Sequence, residues 1–215
     1  LLDHVDHHNG RVGQWGVSYP GFYASMAAID SHPALKAVSP QAPIADWWRG
    51  DDMHRHGALN LQMTFAFFSG FGKPRPQPTD AEHSKRFDFG TPDAYQYFLD
   101  LGPLSNVPGR FEQPIAFWSD LIAHPDYDEF WKARNILPHL KNVTAATLVV
   151  GGWYDTEDLY GPLQTYAAIE RNNPKAGNTL VMGPWPHGGW VRGKGDRLGD
   201  AQFGFNTAET YQPLE

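Results

Sequence analysis

The chain has 215 residues with a formal net charge of −7, 41% hydrophobic and 19% charged residues, 22 Gly, 18 Pro and no Cys. That is enough apolar chain for one globular domain carrying an insert, and too much for disorder. The acidic balance argues against a nucleic-acid surface, no apolar run reaches the roughly 18 residues of a membrane span, and a cysteine-free chain excludes disulfides, thiolate zinc sites and a cysteine nucleophile.

Residue 1 is Leu, with no basic-then-apolar leader, so the sequence reads as a piece of a longer protein and leaves its compartment open. Residues 11–17 are short, apolar and Gly-bounded, which predicts a buried strand. A helix follows over 19–32, with Pro20 in its first turn and Phe22, Met26 and Ile29 as its apolar stripe. Residues 36–39 form a second short strand. From 45 to 138 this rhythm stops. Trp, Phe, His and Pro dominate there, with helical fragments at 58–68, 92–100 and 128–135 and a stiff exposed loop at 73–78.

A structureless loop of that length is excluded, so a helical insert is expected over the sheet, in the position of a lid. Trp47, Trp48, Phe65, Phe67, Phe68, Phe117 and Trp118 are expected to pack it. The rhythm returns with a strand at 146–150, a helix from Gly161-Pro162 to about residue 170, and a strand at 178–182. Strand–helix–strand units predict an α/β fold with a parallel sheet. The expected division is a nucleophile half of the core at 1–44, a cap at 45–140, and an acid and histidine half at 141–215. Four strands are few for such a sheet, so the core is expected to be incomplete on its N-terminal side.

In parallel sheets a site forms beyond the carboxyl ends of the strands, and three segments with reactive side chains fall there. Gly16-Val-Ser18-Tyr19-Pro-Gly21 stands at a strand-to-helix junction, with the Tyr19 N–H able to receive an oxyanion. Gly151-Gly-Trp-Tyr-Asp155 follows the next long strand, and Gly183-Pro-Trp-Pro-His187-Gly-Gly-Trp190 the last. Taken singly, each has a plainer reading: an N-cap serine, a loop aspartate at a helix start, a surface histidine. Together Ser18, Asp155 and His187 stand in the order Ser…Asp…His, each past a separate strand, which is the triad order of α/β-hydrolases. No metal or organic cofactor is called for.

The sequence resembles the α/β-hydrolase family that holds X-Pro dipeptidyl-peptidases, cocaine esterase, cephalosporin acylases and α-amino-acid ester hydrolases. The resemblance rests on the G-x-S-Y-x-G elbow, on 32–43, on Gly50-Asp51-Asp52-Met-His-Arg-His-Gly57, on Gly151-Gly-Trp-Tyr-Asp-Thr-Glu157-Asp158 and on 183–190. It implies a larger enzyme, with strands before the elbow, a helical cap, a C-terminal jelly roll, and a second oxyanion donor from an upstream tyrosine. Within that family the α-amino-acid ester hydrolases hold the substrate α-ammonium with three carboxylates, to which Asp52, Glu157 and Asp158 correspond. The plainer reading makes these acids loop caps, with Asp51 and Asp52 pairing with Arg49 or Arg55.

The implied activity is cleavage of esters or amides of acyl groups with a free α-amine, through an acyl-enzyme. The alternatives are an X-Pro dipeptidyl-peptidase, a cephalosporin acylase without ammonium selectivity, and a non-catalytic fragment that only binds. Trp153, Tyr154, Trp185 and Trp190 are candidate pocket walls. His4, His7, His8, His54 and His56 lack metal-motif spacing and read as surface histidines. The expected partner is a small-molecule or short-peptide acyl substrate, with no nucleic acid and no membrane, and a homo-oligomer is left open.

Overall fold

A computed structural model of the chain describes residues 2–71, 77–78 and 87–211. Strand β1 (Val12–Val17) leads through Ser18 into helix α1 (Tyr19–Ala28), and β2 (Leu35–Gln41) returns beside β1. The next segment holds a short hairpin, β3 (His54–Arg55) and β4 (Ala58–Leu59), then α2 (Leu61–Gly70), α3 (Ala94–Leu101), α4 (Ala116–Ala123) and α5 (Glu129–Lys132). Strand β5 (Ala146–Gly152), helix α6 (Tyr160–Asn172) and β6 (Asn178–Gly183) complete the sheet. A short α7 (Gly189–Arg192) and the hairpin β7 (Arg197–Leu198) and β8 (Ala201–Gln202) follow.

The sheet runs β1-β2-β5-β6 with every pair parallel. Its register brings Val17, Gln41 and Val150 level, and Gly152 level with Gly183, so the segments after β1, β5 and β6 leave one common edge. That edge is where the strand-end rule places chemistry. A hollow of about 670 Å³ lies elsewhere, along the amino-terminal halves of the strands beside Gly13, Trp15, Ala37 and Leu148.

Helix α1 departs from its expected form in two ways. It stops at Ala28, with Ile29 already extended and Asp30 at φ +45°. Its buried face is Gly21, Ala24, Ser25 and Ala28, while Met26 is 45% exposed. The reason is closeness: a Cβ on Gly21 would stand 2.3 Å from the Gln41 carbonyl oxygen, so the face toward the sheet admits only small side chains. Helix α4 and both hairpins carry no sequence signal that marks them. Of the stiff loop expected at 73–78, residues 73–76 lie outside the described residues.

Two further clusters fix the frame. Phe65, Phe68, Val107, Trp118, Leu121 and Trp131 form an aromatic core in the 45–140 segment, apart from the sheet's own core around Ala28, Val38, Leu140 and Ile169. Trp47, Trp48, Phe67 and Phe117 pack at its margin. Among the described residues no helix is long and apolar enough to cross a membrane.

Candidate active site

Ser18 occupies the N-cap position of α1, yet it does not behave as an ordinary cap. Its φ is +68° and ψ −124°, and its side chain makes no capping bond. A non-glycine residue pays for a positive φ, and such strain collects where a side chain must be thrust out. The turn is held by Ser18 N–H donating to Gln41 O at 2.9 Å and Phe22 N–H donating to Ser18 O at 2.9 Å. A Cβ on Gly16 would stand 2.3 Å from Pro20 Cβ, which explains the small residue two before the serine. Tyr19 opens the helix, so its N–H belongs to the first-turn donors that lack an intrahelical acceptor.

The acid and histidine segments are joined by backbone. Trp153 N–H donates to Gly183 O at 2.8 Å and Tyr154 N–H to Trp185 O at 3.2 Å. A Cβ on Gly152 would stand 2.1 Å from Trp185 O, so this approach needs glycine. Asp155 then divides its two oxygens. Oδ1 accepts from Glu157 N–H at 2.8 Å and Asp158 N–H at 2.9 Å, fixing the turn, while Oδ2 lies 2.8 Å from His187 Nδ1. The histidine loop also reaches the serine strand, because a Cβ on Gly188 would meet Val17 Cγ1 at 3.4 Å.

The electrostatics of the pair are asymmetric. Burial works against an ionised Asp155, but the hydrogen bond and charge of His187 and the two N–H donors hold its carboxyl below the usual range. Burial equally works against a charged His187, and the Asp155 hydrogen bond and charge, with Glu157 and Asp52 nearby, raise it above its ordinary value. An imidazole in this state is a better proton acceptor, and its cation is compensated when it forms.

Three further carboxylates converge beside this pair. Asp52 comes from the turn before β3, at φ +46°, and Glu157 and Asp158 from the turn after Asp155. Asp52 N–H donates to Glu157 O and to Asp158 Oδ1, both at 3.1 Å. Glu157 Oε2 lies 3.9 Å from His187 Nε2, and Asp158 Oδ2 lies 3.9 Å from His187 Nδ1. Asp52 is 3% exposed and Asp158 0%, and Oδ2 of each is buried with no hydrogen-bond partner. Burial pushes both carboxyls well above the usual range. The charges of Glu157 and Asp51 add to this for Asp52, and those of Asp52, Asp51 and Glu157 for Asp158. Tyr19 feels the same field: burial, then Asp52, Tyr23 and Asp158, drive its phenol far above its usual value.

The neighbouring charges have other work. Asp51 accepts from Ala45 N–H (2.8 Å), Asp46 N–H (3.1 Å) and Gly161 N–H (2.7 Å), tying the root of the insert to the start of α6, and burial pushes its carboxyl up to about 7 against those donors. Arg49 leans on Asp46, and Arg55 donates only to main-chain carbonyls, so neither arginine takes up Asp51 or Asp52 in an ion pair among the described contacts.

Two expectations are corrected here. Trp185, expected as a pocket wall, is 1% exposed; its Nε1–H donates to Thr207 Oγ1 at 2.7 Å, and it packs with Trp190 and Tyr211 beneath the site. Trp190 is equally buried and donates to Gln41 Oε1 at 2.8 Å, because a large ring with one donor is stable inside when that donor is met. His54 is no surface histidine either: it lies between Trp48 and Trp131, with Nδ1 3.1 Å from Trp47 O. Trp153 and Tyr154 remain half exposed at the rim. The aromatic residue next to the serine in the chain is Tyr19, stacked on Phe67 and flanked by Phe71 and Trp47.

Glu157, Asp158 and His187 also present donor atoms within 4.8 Å of one another, a spacing compatible with a metal ion. Such an ion would occupy the histidine that Asp155 orients, so the same oxygens serve either a metal or an organic cation, and not both. Asp51, Arg55 and Gln41 are the structural contributors that sequence reasoning missed as such. Only the Gly-Asp-Asp run hinted at the first.

Comparisons with known proteins agree with this architecture. Residues 1–189 match the family model described as X-Pro dipeptidyl-peptidase (S15 family). The cocaine esterase of Rhodococcus sp. (strain MB1 Bresler) is 29% identical over 211 residues, covering 94% of this chain and 34% of that enzyme. An aminopeptidase from a marine sediment Thaumarchaeota archaeon superimposes with a TM-score of 0.84 at 31% identity, over 99% of this chain and 34% of that one. An α-amino acid ester hydrolase does so with a TM-score of 0.83 at 33% identity, over 98% and 34%. The chain thus spans about a third of the length of these relatives. With the α/β-hydrolase sheet, the elbow at its edge and this match along most of its length, the chain belongs to the S15 family of X-Pro dipeptidyl-peptidases and related serine hydrolases.

Proposed function

We propose that this chain carries the active centre of a serine hydrolase that cleaves esters or amides of acyl groups bearing a free α-amine. The observation behind this reading is the convergence of Glu157 and Asp158 on His187 with Asp52 tied to both, Oδ2 of Asp52 and of Asp158 being buried without a donor. Buried carboxylates at this density call for a cation, and an ammonium has the donors to meet several at once. The α-nitrogen of an amino acid lies about 2.5 Å from the acyl carbon, from the ordinary N–Cα and Cα–C lengths. A site that holds the ammonium must therefore adjoin the base, as Glu157 adjoins Nε2 of His187.

In this mechanism Ser18 Oγ attacks the acyl carbon as its proton passes to His187 Nε2, while Asp155 holds Nδ1–H. The carbonyl oxygen becomes an oxyanion received by the Tyr19 N–H. Collapse breaks the acyl–leaving group bond, and Nε2 returns the proton to the departing alkoxide or amine. Water then attacks the acyl-enzyme by the same route and releases Ser18. The match to the X-Pro dipeptidyl-peptidase model favours a second reading on the same site, with the amine being a peptide N-terminus.

The test is hydrolysis of phenylglycine methyl ester and its N-acetyl analogue, with Ser18→Ala as control. Turnover of the free amine alone is expected. Equal turnover of both removes the ammonium pocket and leaves a general acyl hydrolase. Dipeptide anilides with proline second separate the peptidase from the ester hydrolase.

A further inference from the structure

We infer that Arg55 is the positioning residue of the amine pocket, setting Asp52 and Glu157 in place through their main-chain carbonyls and not through their carboxylates; this rests on the ammonium reading above. One guanidinium gathers four main-chain carbonyls from two segments about a hundred residues apart. Its Nη1 donates to Asp52 O at 3.2 Å and His54 O at 2.9 Å, and its Nη2 to Glu157 O at 2.9 Å and to Thr156 O. The residues whose carbonyls it holds include two of the three proposed ammonium ligands.

The choice of acceptors is the informative part. A cation set among Asp51, Asp52, Glu157 and Asp158 would ordinarily pair with a carboxylate and neutralise it. Here the fork is filled by carbonyls, so its charge sits beside the cluster without consuming the oxygens a substrate amine would use. The charge still acts at a distance, opposing the rise that burial imposes on Asp51. The geometry also closes a ring. Asp52 N–H is tied to Glu157 O and Asp158 Oδ1 on one side, and Arg55 ties Asp52 O to Glu157 O on the other. A backbone at φ +46° on a non-glycine residue persists only where its surroundings fix it on both sides. Five donors in a planar fork can span both segments, and the three donors of a lysine radiate from one point and span them poorly.

The experiment is calorimetric titration of the full chain with phenylalaninol and N-acetylphenylalaninol, which lack the scissile ester. Wild type is expected to prefer the free amine at least tenfold. Arg55→Met is expected to lose tenfold or more of that affinity while binding the N-acetyl compound as wild type does, and Arg55→Lys to recover part of the loss. Near-UV circular dichroism reports whether each variant is folded. A folded Arg55→Met that binds the amine like wild type, or that loses both ligands equally, overturns the inference. If Arg55→Met unfolds, Arg55→Lys decides, and a folded Arg55→Lys with wild-type amine affinity overturns it. Wild type showing no preference for the free amine defeats the ammonium reading itself, and that result appears before any Arg55 variant is made.

Discussion

The sheet and the insert bury their apolar groups by different means. The four strands are positioned by parallel main-chain register, which places the segments carrying Ser18, Asp155 and His187 along one edge. The insert is organised by rings: Phe65 alone lies against Phe87, Phe89, Tyr97, Phe98, Phe111 and Trp118, at centroid separations of 4.8–6.4 Å. Register is a backbone property and tolerates change in side chains. Ring packing is a side-chain property and does not. The candidate chemistry thus stands on the tolerant region, and the proposed amine pocket on the seam, with Asp52 from the insert and Glu157 and Asp158 from the sheet.

The sharpest way to break the sheet side without disturbing the insert is Asp155→Asn. The amide still offers an oxygen to the turn or to His187, but not the charge that favours the protonated imidazole. By analogy with triads in general, kcat on an amino-acid ester is expected to fall about 10⁴-fold. Affinity for phenylalaninol should stay near wild type in the same variant, measured by calorimetry. The corresponding break on the insert side is Phe65→Ala, which empties the centre of its ring cluster. A buried aromatic truncated to alanine costs about 3–5 kcal/mol, read as a lower urea midpoint. Asp155→Asn should lower that midpoint less than Phe65→Ala does, since the amide keeps an oxygen for the two N–H donors of the turn and opens no cavity. If both variants lowered it equally, the two regions would not be separable in this way.

The same contrast explains what the sequence disclosed. The strands at 12–17, 146–152 and 178–183 were legible because short apolar runs bounded by glycine have few other uses. The positions of Ser18, Asp155 and His187 followed from strand ends alone. The convergence of Asp52 with Glu157 and Asp158 came from the family resemblance, because nothing local links residues about a hundred positions apart. Arg55 reads in the sequence as an ion partner, since a side chain that serves carbonyls leaves no pattern of charge pairs. Trp185 misled for a related reason: a tryptophan next to a reactive histidine looks the same whether it faces the substrate or Thr207.

The seam itself offers a smaller effect, with a sign set by protonation. Asp51, Asp52 and Asp158 all have native carboxyl pKa values above their unfolded ones, Asp51 at about 7. A group raised in this way contributes its full stability below the ordinary carboxylate range and loses it as pH rises through the native value. Without a bound amine, the chain is expected to lose stability between about pH 4 and 8. Asp52→Asn removes one of the crowded charges, so it should be more stable than wild type at pH 8. At pH 4 the difference should vanish. A pocket kept for binding at a cost in stability would show this signature. Urea midpoints at the two pH values measure it, and a constant difference would mean that the Asp52 carboxyl does not titrate with the fold.

The smallest expected effect concerns the helix whose apolar stripe the sequence misassigned. By spacing, Met26 belongs to the core of α1, and its truncation would then cost several kcal/mol. In the fold Met26 faces outward and the contact with the sheet is made by Gly21, Ala24, Ser25 and Ala28. Met26→Ala should therefore change stability by less than about 0.5 kcal/mol, as substitutions away from packed features do. The urea midpoint decides between the two. A loss of several kcal/mol would mean that α1 packs by its large side chains after all, and that the close approach of Gly21 to Gln41, which holds the Ser18 turn, is not the contact that fixes the helix. A null result ties the elbow's geometry to the small-residue face, because only that face lets the helix start directly behind the serine.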